Sequence, residues 1–153
     1  MVVICEYDNA NRKNNRLQIF NVDEGKPINS LLQGQIQPLG VAVTRDQQSV
    51  VVTDCKEKRV KIVSLATGSV VAEIGKGQFG WPYGVAVNSK GHIIVSDAFN
   101  DSVAVFSAEG KKIRTFGSTG SHPEQFRNPY HVAVDSRDKI YVSDCGNNCV
   151  KVG

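Results

Sequence analysis

Short runs of β-branched and other apolar residues, separated by polar turns, set the pattern of this chain. Residues 60–63 (Val-Lys-Ile-Val) and 103–106 (Val-Ala-Val-Phe) are typical of these runs, which have the length and composition of strands. Polar–glycine pairs, as at Thr67-Gly68 and Glu109-Gly110, join one run to the next and have the chemistry of hairpin turns. No window of 11 residues keeps a helical spacing of apolar positions, so the pattern predicts an all-β chain of antiparallel hairpins.

The runs repeat with a long period. Residues 38–43, 82–87 and 129–134 form Pro-Leu-Gly-Val-Ala-Val, Pro-Tyr-Gly-Val-Ala-Val and Pro-Tyr-His-Val-Ala-Val, and their prolines are 44 and 47 residues apart. Each opening leads through a polar turn to a β-branched run that ends in Ser-Asp or Thr-Asp, and a valine follows six residues after each aspartate. One repeat therefore holds four strands, which we label A to D. Four antiparallel strands per roughly 40–50 residues are typical of a β-propeller blade.

The repeats divide one predicted region, residues 1–153, into four blades. Residues 1–37 supply strands B, C and D, residues 38–81 and 82–128 each supply a whole blade, and residues 129–153 supply strands A, B and C. Because propellers typically close with four to eight blades, the sequence predicts a partial, open propeller that is a piece of a longer protein. The end strands would leave unpaired edges, which we expect to promote self-association.

Composition narrows the class of protein without indicating an activity. Of 153 residues, 41% are hydrophobic and 22% are charged, as in a globular domain and unlike a disordered chain. No apolar run approaches the length of a membrane span, and the first 20 residues lack the apolar core of a secretory signal, so we expect a cytoplasmic protein without a membrane partner. The net charge of +3 permits an acidic partner, and the four cysteines are expected to be free thiols.

The repeat motifs resemble a known family. Pro-Tyr-Gly-Val-Ala-Val, Ile-Val-Ser-Asp, Asn-x-x-Val-x-Val-Phe and the linker Phe-Gly-Ser-x-Gly at residues 116–120 closely resemble the NHL repeat, over essentially the whole chain. The resemblance implies a propeller, six-bladed in most known members, from the C-terminal module of a tripartite-motif or related ubiquitin-ligase protein. The chain contains no RING, B-box or coiled coil, so any ligase activity would lie in other domains of a parent protein. Each blade departs from the family pattern Asp-x-x-Asn-x-Arg-Val at one position, namely Glu57, Ser102 and Cys149.

One face of the predicted propeller collects the B–C turns and the D–A linkers. Cations, aromatic residues and amides are interleaved there, and this combination suits single-stranded RNA, because bases stack on rings and phosphates pair with Lys or Arg. Some NHL propellers of the tripartite-motif type bind RNA on this face. In this chain the cations would contact phosphates, and the two tyrosines would stack on bases. The candidate residues for binding RNA or a protein partner are Lys56, Lys58, Arg59, Tyr83, Asn100, Arg127, Tyr130, His131 and Asn147.

Structural roles compete with functional ones on this face. We expect Phe79 and Phe126 to fill the gaps between blades, whereas Trp81 is equally compatible with packing and with exposure. The lysines have acidic neighbours, which is also typical of a solvated charged turn. The aspartates that end the B strands are expected to cap turn N–H groups rather than to bind a metal or act in acid–base catalysis. They are Asp54, Asp97 and Asp144.

No catalytic or metal-binding motif stands out. The chain lacks a Gly-x-Ser-x-Gly elbow, and Gly75-Lys76-Gly77 lacks the ending of a phosphate loop. The three histidines occupy different repeat positions, unlike the metal ligands of the related propeller lyases, and the Cys145–Cys149 hairpin lacks two further zinc ligands. We therefore expect a non-enzymatic binding module without cofactor or metal, whose partner is single-stranded RNA or a protein. The alternative is a protein-interaction platform that recruits ubiquitin-ligase substrates without binding RNA.

Overall fold

The computed structural model describes residues Met1 to Gly153 and is almost entirely β-structure. Two single 3-10 turns, Arg12–Asn14 and Cys145–Asn147, interrupt the strands, and no helix is long and apolar enough to cross a membrane. The strands are β1 Val2–Glu6, β2 Arg16–Asn21, β3 Lys26–Leu31, β4 Pro38–Val43, β5 Ser49–Asp54, β6 Arg59–Ser64, β7 Val70–Ile74, β8 Pro82–Val87, β9 Ile93–Asp97, β10 Ser102–Phe106, β11 Lys112–Phe116, β12 Pro129–Val134, β13 Ile140–Asp144 and β14 Cys149–Val152.

The strands form four antiparallel sheets, each of which follows chain order. Blade one is β1-β2-β3, blade two is β4-β5-β6-β7, blade three is β8-β9-β10-β11, and blade four is β12-β13-β14. Ladder hydrogen bonds stay within each sheet, and the inner strands β4, β8 and β12 lie side by side. This is the arrangement of propeller blades around an axis, so the predicted all-β propeller fold is confirmed, and the ring of sheets is open.

Apolar side chains from adjacent blades fill the three gaps between them. Residues alternate along each B strand, so that Val50 and Val52 point towards blade one while Val51 points towards blade three. Phe79 and Phe126 are buried in the second and third gaps, which confirms their predicted packing role. Burial stabilises an apolar side chain of this size by about 1.5–3 kcal/mol relative to exposure, and these clusters therefore hold the blades together.

The inner strand of every four-stranded blade carries an irregularity that is corrected by a hydroxyl group. The ladder between β4 and β5 shifts between the first and fourth residues of β4, which leaves backbone groups there without ladder partners. The Oγ1 of Thr53, in β5, accepts the N–H of Gly40 at 2.8 Å and donates to the carbonyl oxygen of Tyr83, in blade three, also at 2.8 Å. One buried hydroxyl therefore replaces a missing ladder bond in its own sheet and forms a hydrogen bond to the next blade.

The same bridge recurs one blade later and stops at blade four. Ser96 accepts the N–H of Gly84 at 2.9 Å and donates to the carbonyl oxygen of Tyr130 at 2.7 Å. Ser143 accepts the N–H of His131 at 2.9 Å, but its hydroxyl meets no further blade and lies 3.5 Å from the carbonyl oxygen of His131 itself. The hydroxyl of Thr53 or Ser96 thus connects the inner strands of two neighbouring blades.

Glycine is required where these inner strands approach one another. A Cβ atom at Gly40 would lie 2.5 Å from the carbonyl oxygen of Tyr83, and one at Gly84 would lie 2.5 Å from that of Tyr130. Both oxygens belong to the backbone of the next blade, so the approach cannot relax by a side-chain rotation. The equivalent position in blade four is His131, whose side chain is exposed.

Replacement of Thr53 tests the hydroxyl bridge. Thr53→Val keeps the shape of the side chain but leaves the Gly40 N–H and the Tyr83 carbonyl unpaired, so it should lower the free energy of unfolding by about 2–4 kcal/mol. Ser143→Ala removes the equivalent hydroxyl where no blade follows and should cost less than about 1 kcal/mol. Urea unfolding followed by circular dichroism measures both values. Equal losses in the two variants would show that the bridge between blades does not contribute.

Candidate functional site

One face of the propeller, which we call the upper face, carries the turns between the second and third strands of a full blade and the linkers that enter its first strand. The buried carboxylates at the ends of β5, β9 and β13 connect these turns to the linkers. The turns comprise residues 55–58, 98–101 and 145–148, and the linkers comprise residues 32–37, 75–81 and 117–128.

Asp97 organises the upper face of blade three. Its Oδ1 accepts the backbone N–H of Trp81 at 2.9 Å and those of Phe99 and Asn100 at 3.2 Å each. Its Oδ2 accepts the N–H of Gly80 at 2.9 Å and the side-chain amide of Asn100 at 2.7 Å. A single carboxylate therefore fixes both the linker that carries Trp81 and the turn that carries Phe99.

Asp144 has the same role in blade four, with a cation added. Its Oδ1 accepts the N–H of Arg127 at 2.7 Å, while its Oδ2 accepts the Asn147 amide at 2.7 Å and pairs with the Lys151 ammonium at 3.0 Å. Burial opposes ionisation of Asp144, but these donors outweigh it and hold the pKa of the carboxyl below its ordinary value.

Asp54 completes the series in blade two. It caps the turn by accepting the N–H groups of Lys56 at 3.0 Å and Glu57 at 3.4 Å, and its Oδ2 pairs with the Lys61 ammonium at 3.0 Å. Burial favours the neutral amine of Lys61, yet the hydrogen bonds and charges of Asp54 and Glu57 raise its pKa.

These three sites confirm the predicted capping role of the aspartates. A lysine lies seven residues after the aspartate in blades two and four, but blade three has Ala104 there, and the amide of Asn100 is the side-chain donor to Asp97. Blade two has the reverse exchange, because Glu57 replaces the asparagine and shares Lys61 at 3.1 Å. No group of three or more His, Cys, Asp or Glu side chains is placed to hold a metal ion.

Aromatic rings cluster on the upper face where blades three and four meet the axis. Tyr83 and Tyr130 stack with ring centroids 4.6 Å apart and planes inclined by 22°. Trp81 lies edge-on to both, at 5.7 Å from Tyr83 and 6.0 Å from Tyr130, and is 40% exposed. His131 lies edge-on to Tyr83 at 5.2 Å. Trp81 is therefore both packed and exposed, because it contacts the two tyrosines and is also partly open to solvent.

Phe99 lies in the turn after β9, against the linker that carries Trp81. It is 74% exposed and lies over Gly80, where a Cβ atom would come 2.5 Å from its ring. Blade four has the opposite arrangement, with Arg127 lying over Gly146. We use the name aromatic patch for Trp81, Tyr83, Phe99 and Tyr130.

The cations of the upper face fall into two groups. The first group is exposed and makes no ion pair; it comprises Lys56, Lys58, Lys76 and Arg127. Arg59 pairs with Glu73 at 2.7 Å and Glu57 at 3.7 Å, so a phosphate would have to compete with two carboxylates for it.

The remaining candidate residues differ in how free they are. The side-chain amides of Asn100 and Asn147 donate hydrogen bonds to the buried Asp97 and Asp144, respectively. Tyr83 and Tyr130 stack on each other, so a base would stack on the outside of the pair rather than between the rings. His131 is exposed beside them. The binding role of these residues stays a prediction.

Two structural features were missed at the level of sequence. The bridging hydroxyls are signalled by the Ser or Thr before each aspartate, and the buried ion pairs by the lysine seven residues after it in blades two and four. The Ser or Thr and the lysine both recur in the repeats. Their bonding partners lie in other strands, so the sequence pattern alone does not show what they bond to.

Comparison with known proteins agrees with this geometry. Residues 126–152 match the NHL repeat family. No curated protein matches the chain. The chain is similar to the solved WD40 β-propeller domain of Doa1 (TM-score 0.69, 18% identity, 90% of this chain and 43% of that one) and to a streptogramin B lyase (0.69, 15%, 93% and 48%). It is also similar to XC5397 of Xanthomonas campestris, a gluconolactonase (0.68, 16%, 91% and 44%).

These findings support an NHL-type propeller. The chain spans less than half the length of the solved structures to which it is similar. Because those structures include a lyase and a gluconolactonase, the fold alone does not distinguish a binding module from an enzyme, and the absence of turnover stays a prediction.

The depressed pKa of Asp144 predicts how acid affects stability. A carboxyl with a lowered folded-state pKa stabilises the fold above its unfolded pKa, and that contribution is lost as the pH falls through the folded pKa. Asp144→Asn should therefore reduce the difference in unfolding free energy between neutral pH and about pH 3. Asp23→Asn, at an exposed aspartate without an ion pair, serves as the control and should leave that difference unchanged. Urea unfolding across the pH series decides, and an unaltered acid dependence in Asp144→Asn would contradict the assignment.

Proposed function

We propose that the chain is a non-enzymatic binding module that engages a protein partner through the aromatic patch. The observation that carries the proposal is the exposure of Trp81 and Phe99 on the upper face, where Asp97 accepts the backbone N–H groups of both residues. Tryptophan and tyrosine supply much of the binding energy at protein interfaces, because they bury a large apolar area at a small cost in side-chain entropy. A patch whose backbone is already fixed also loses little entropy on binding.

The charge around the patch defines the partner further. Lys56, Lys58 and Arg127 are unpaired on the same face, so the partner that fits is an acidic segment with an apolar anchor. The cations would steer association and orient the segment, while the aromatic patch would provide most of the affinity. If the chain belongs to a ubiquitin-ligase protein, as the resemblance of its repeats implies, this face would present the substrate.

Single-stranded RNA is the second candidate ligand. The unpaired cations and the stacked tyrosine pair of the upper face favour it, since phosphates and bases would each find a contact. The mutual stacking of Tyr83 and Tyr130 and the ion pairs of Arg59 reduce what is available for RNA. We therefore favour a protein partner over single-stranded RNA.

A site-specific comparison tests the proposal. A photo-reactive group introduced beside Trp81 should capture a protein from cell extract, and purified captured protein should bind Trp81→Ala at least about tenfold more weakly than the unaltered chain. Ile113→Ala removes an exposed apolar side chain of β11 and should change the affinity less than about twofold. Equal effects of the two changes would contradict a role for the aromatic patch.

Titration with short single-stranded RNA separates the two ligands. RNA recognition would weaken steeply with salt, and each lost phosphate contact, as in Lys58→Ala, would reduce the magnitude of the salt slope by roughly 0.7. The protein-binding proposal predicts no such slope change. Tight RNA binding that is lost in Lys58→Ala and Tyr130→Ala but kept in Ile113→Ala would overturn it in favour of RNA.

A further inference from the structure

Three neighbouring cations lie at the outer edge of blade three. Lys111 comes directly before β11, and Lys112 and Arg114 lie within it. All three side chains are exposed, and none of them forms an ion pair. The Cζ of Arg114 lies 5.6 Å from the ring centroid of Phe116, and this contact holds the guanidinium along the strand. The outer edge of blade three therefore carries a local excess of positive charge.

The backbone of β11 is open on one side. The order of the sheet is β11-β10-β9-β8, so β11 bonds to β10 alone. In an antiparallel ladder, alternate residues of the outermost strand direct their N–H and C=O groups away from the sheet. Blade four packs on the face of this sheet, through a cluster that includes Val105 and Val142, and its ladder bonds stay within its own sheet. The edge of β11 thus offers backbone partners as well as cations.

The outer strands of blades one and two lack this combination. In β3, Pro27 has no N–H to donate, and Lys26 pairs with Glu24 at 3.7 Å. In β7 the one charged residue is Glu73, which pairs with Arg59 at 2.7 Å. Strand β11 contains no proline and no carboxylate, so its positive charge is free to attract a ligand.

From these observations we propose that β11 binds an extended acidic segment of a partner protein, which adds one strand to the outer edge of blade three. Backbone hydrogen bonds hold the segment, and its Asp or Glu side chains pair with Lys112 and Arg114. The ladder with β10 skips Ile113, whose side chain is 48% exposed, so an apolar residue of the segment contacts it between the two cations. This inference is independent of the ligand proposed for the upper face.

The charge and composition of β11 select this occupant over two others. Pairing of β11 with β11 of a second copy brings cations against cations, which is destabilising. Single-stranded nucleic acid gains phosphate contacts there but little stacking, because Phe116 is partly buried and its ring centroid lies 6.3 Å from that of Phe126. An acidic extended peptide uses both the open backbone and the cations.

A fluorescent synthetic peptide of alternating Glu and Val tests the site on the whole chain. Arg114→Glu should weaken its binding at least about tenfold, because the variant places a carboxylate against those of the peptide. Arg137→Glu makes the same change of charge at an exposed residue without an ion pair, in the turn between β12 and β13, and should weaken binding less than about twofold.

Two methylated forms of the peptide test the backbone contact. Methyl groups on every second backbone nitrogen remove the donors on one edge of the peptide and leave its charge unchanged. If the peptide adds a strand, methylation of one set of nitrogens should weaken binding at least about tenfold, and methylation of the other set should weaken it less than about twofold. Attraction by charge alone predicts equal binding of the two forms, which would overturn the proposal.

Other outcomes would overturn it as well. Equal weakening in Arg114→Glu and Arg137→Glu, or no detectable binding at low salt, would exclude the site. Loss of binding in Lys58→Glu but not in Arg114→Glu would place the acidic peptide on the upper face. Dimers that Arg114→Glu abolishes would show a second copy on this edge, and displacement of the peptide by single-stranded RNA at a lower concentration than by unlabelled peptide would favour nucleic acid. Circular dichroism confirms that Arg114→Glu is folded, and Lys112→Glu provides a second change on the same edge if it is not.

Discussion

A buried carboxylate at the end of the second strand of a full blade is the interaction on which the upper face depends. In blade three, Asp97 holds the linker at Gly80 and Trp81 and the turn at Phe99 and Asn100 with a single side chain. Backbone N–H groups in such turns have no ladder partner, so without the carboxylate they would be exposed to water or left unpaired. The aromatic patch is therefore positioned by the same bonds that end the strand.

Between blades, a second constraint acts closer to the axis. The inner strands approach so closely that glycine is needed at Gly40 and Gly84, and the Thr53 and Ser96 hydroxyls bond across the gap. Carboxylate and hydroxyl are consecutive residues, so the B strands of blades two and three end in a Ser/Thr-Asp pair that joins the blade to its neighbour and to its own upper turn. This explains why the pair repeats although the turns that follow it differ.

Much of the fold could be predicted from the sequence because its determinants are local and repeated. The Pro-x-Gly-Val-Ala-Val openings and the β-branched runs give the strands, and their period gives the blades. The capping role of Asp97 was predictable for the same reason.

The details of the site depend on distances between strands and between blades, which the sequence pattern does not contain. The stacking of Tyr83 on Tyr130 joins residues of different blades, and Arg59 meets Glu73 across two adjacent strands. The exposure of Trp81 likewise follows from where its linker is held. For these residues the sequence pattern indicates the chemistry, and the structure provides the geometry.

The most direct test of this account is quenching of tryptophan fluorescence by iodide, because Trp81 is the only tryptophan of the chain and lies in the aromatic patch. In Asp97→Asn the amide cannot accept both linker N–H groups, so the account predicts greater quenching of Trp81 with an unchanged content of β-structure. Asp54→Asn makes the same change in blade two and should leave the quenching as it is in the unaltered chain. Equal quenching of the unaltered chain and Asp97→Asn would contradict the claim that the buried carboxylate positions the patch.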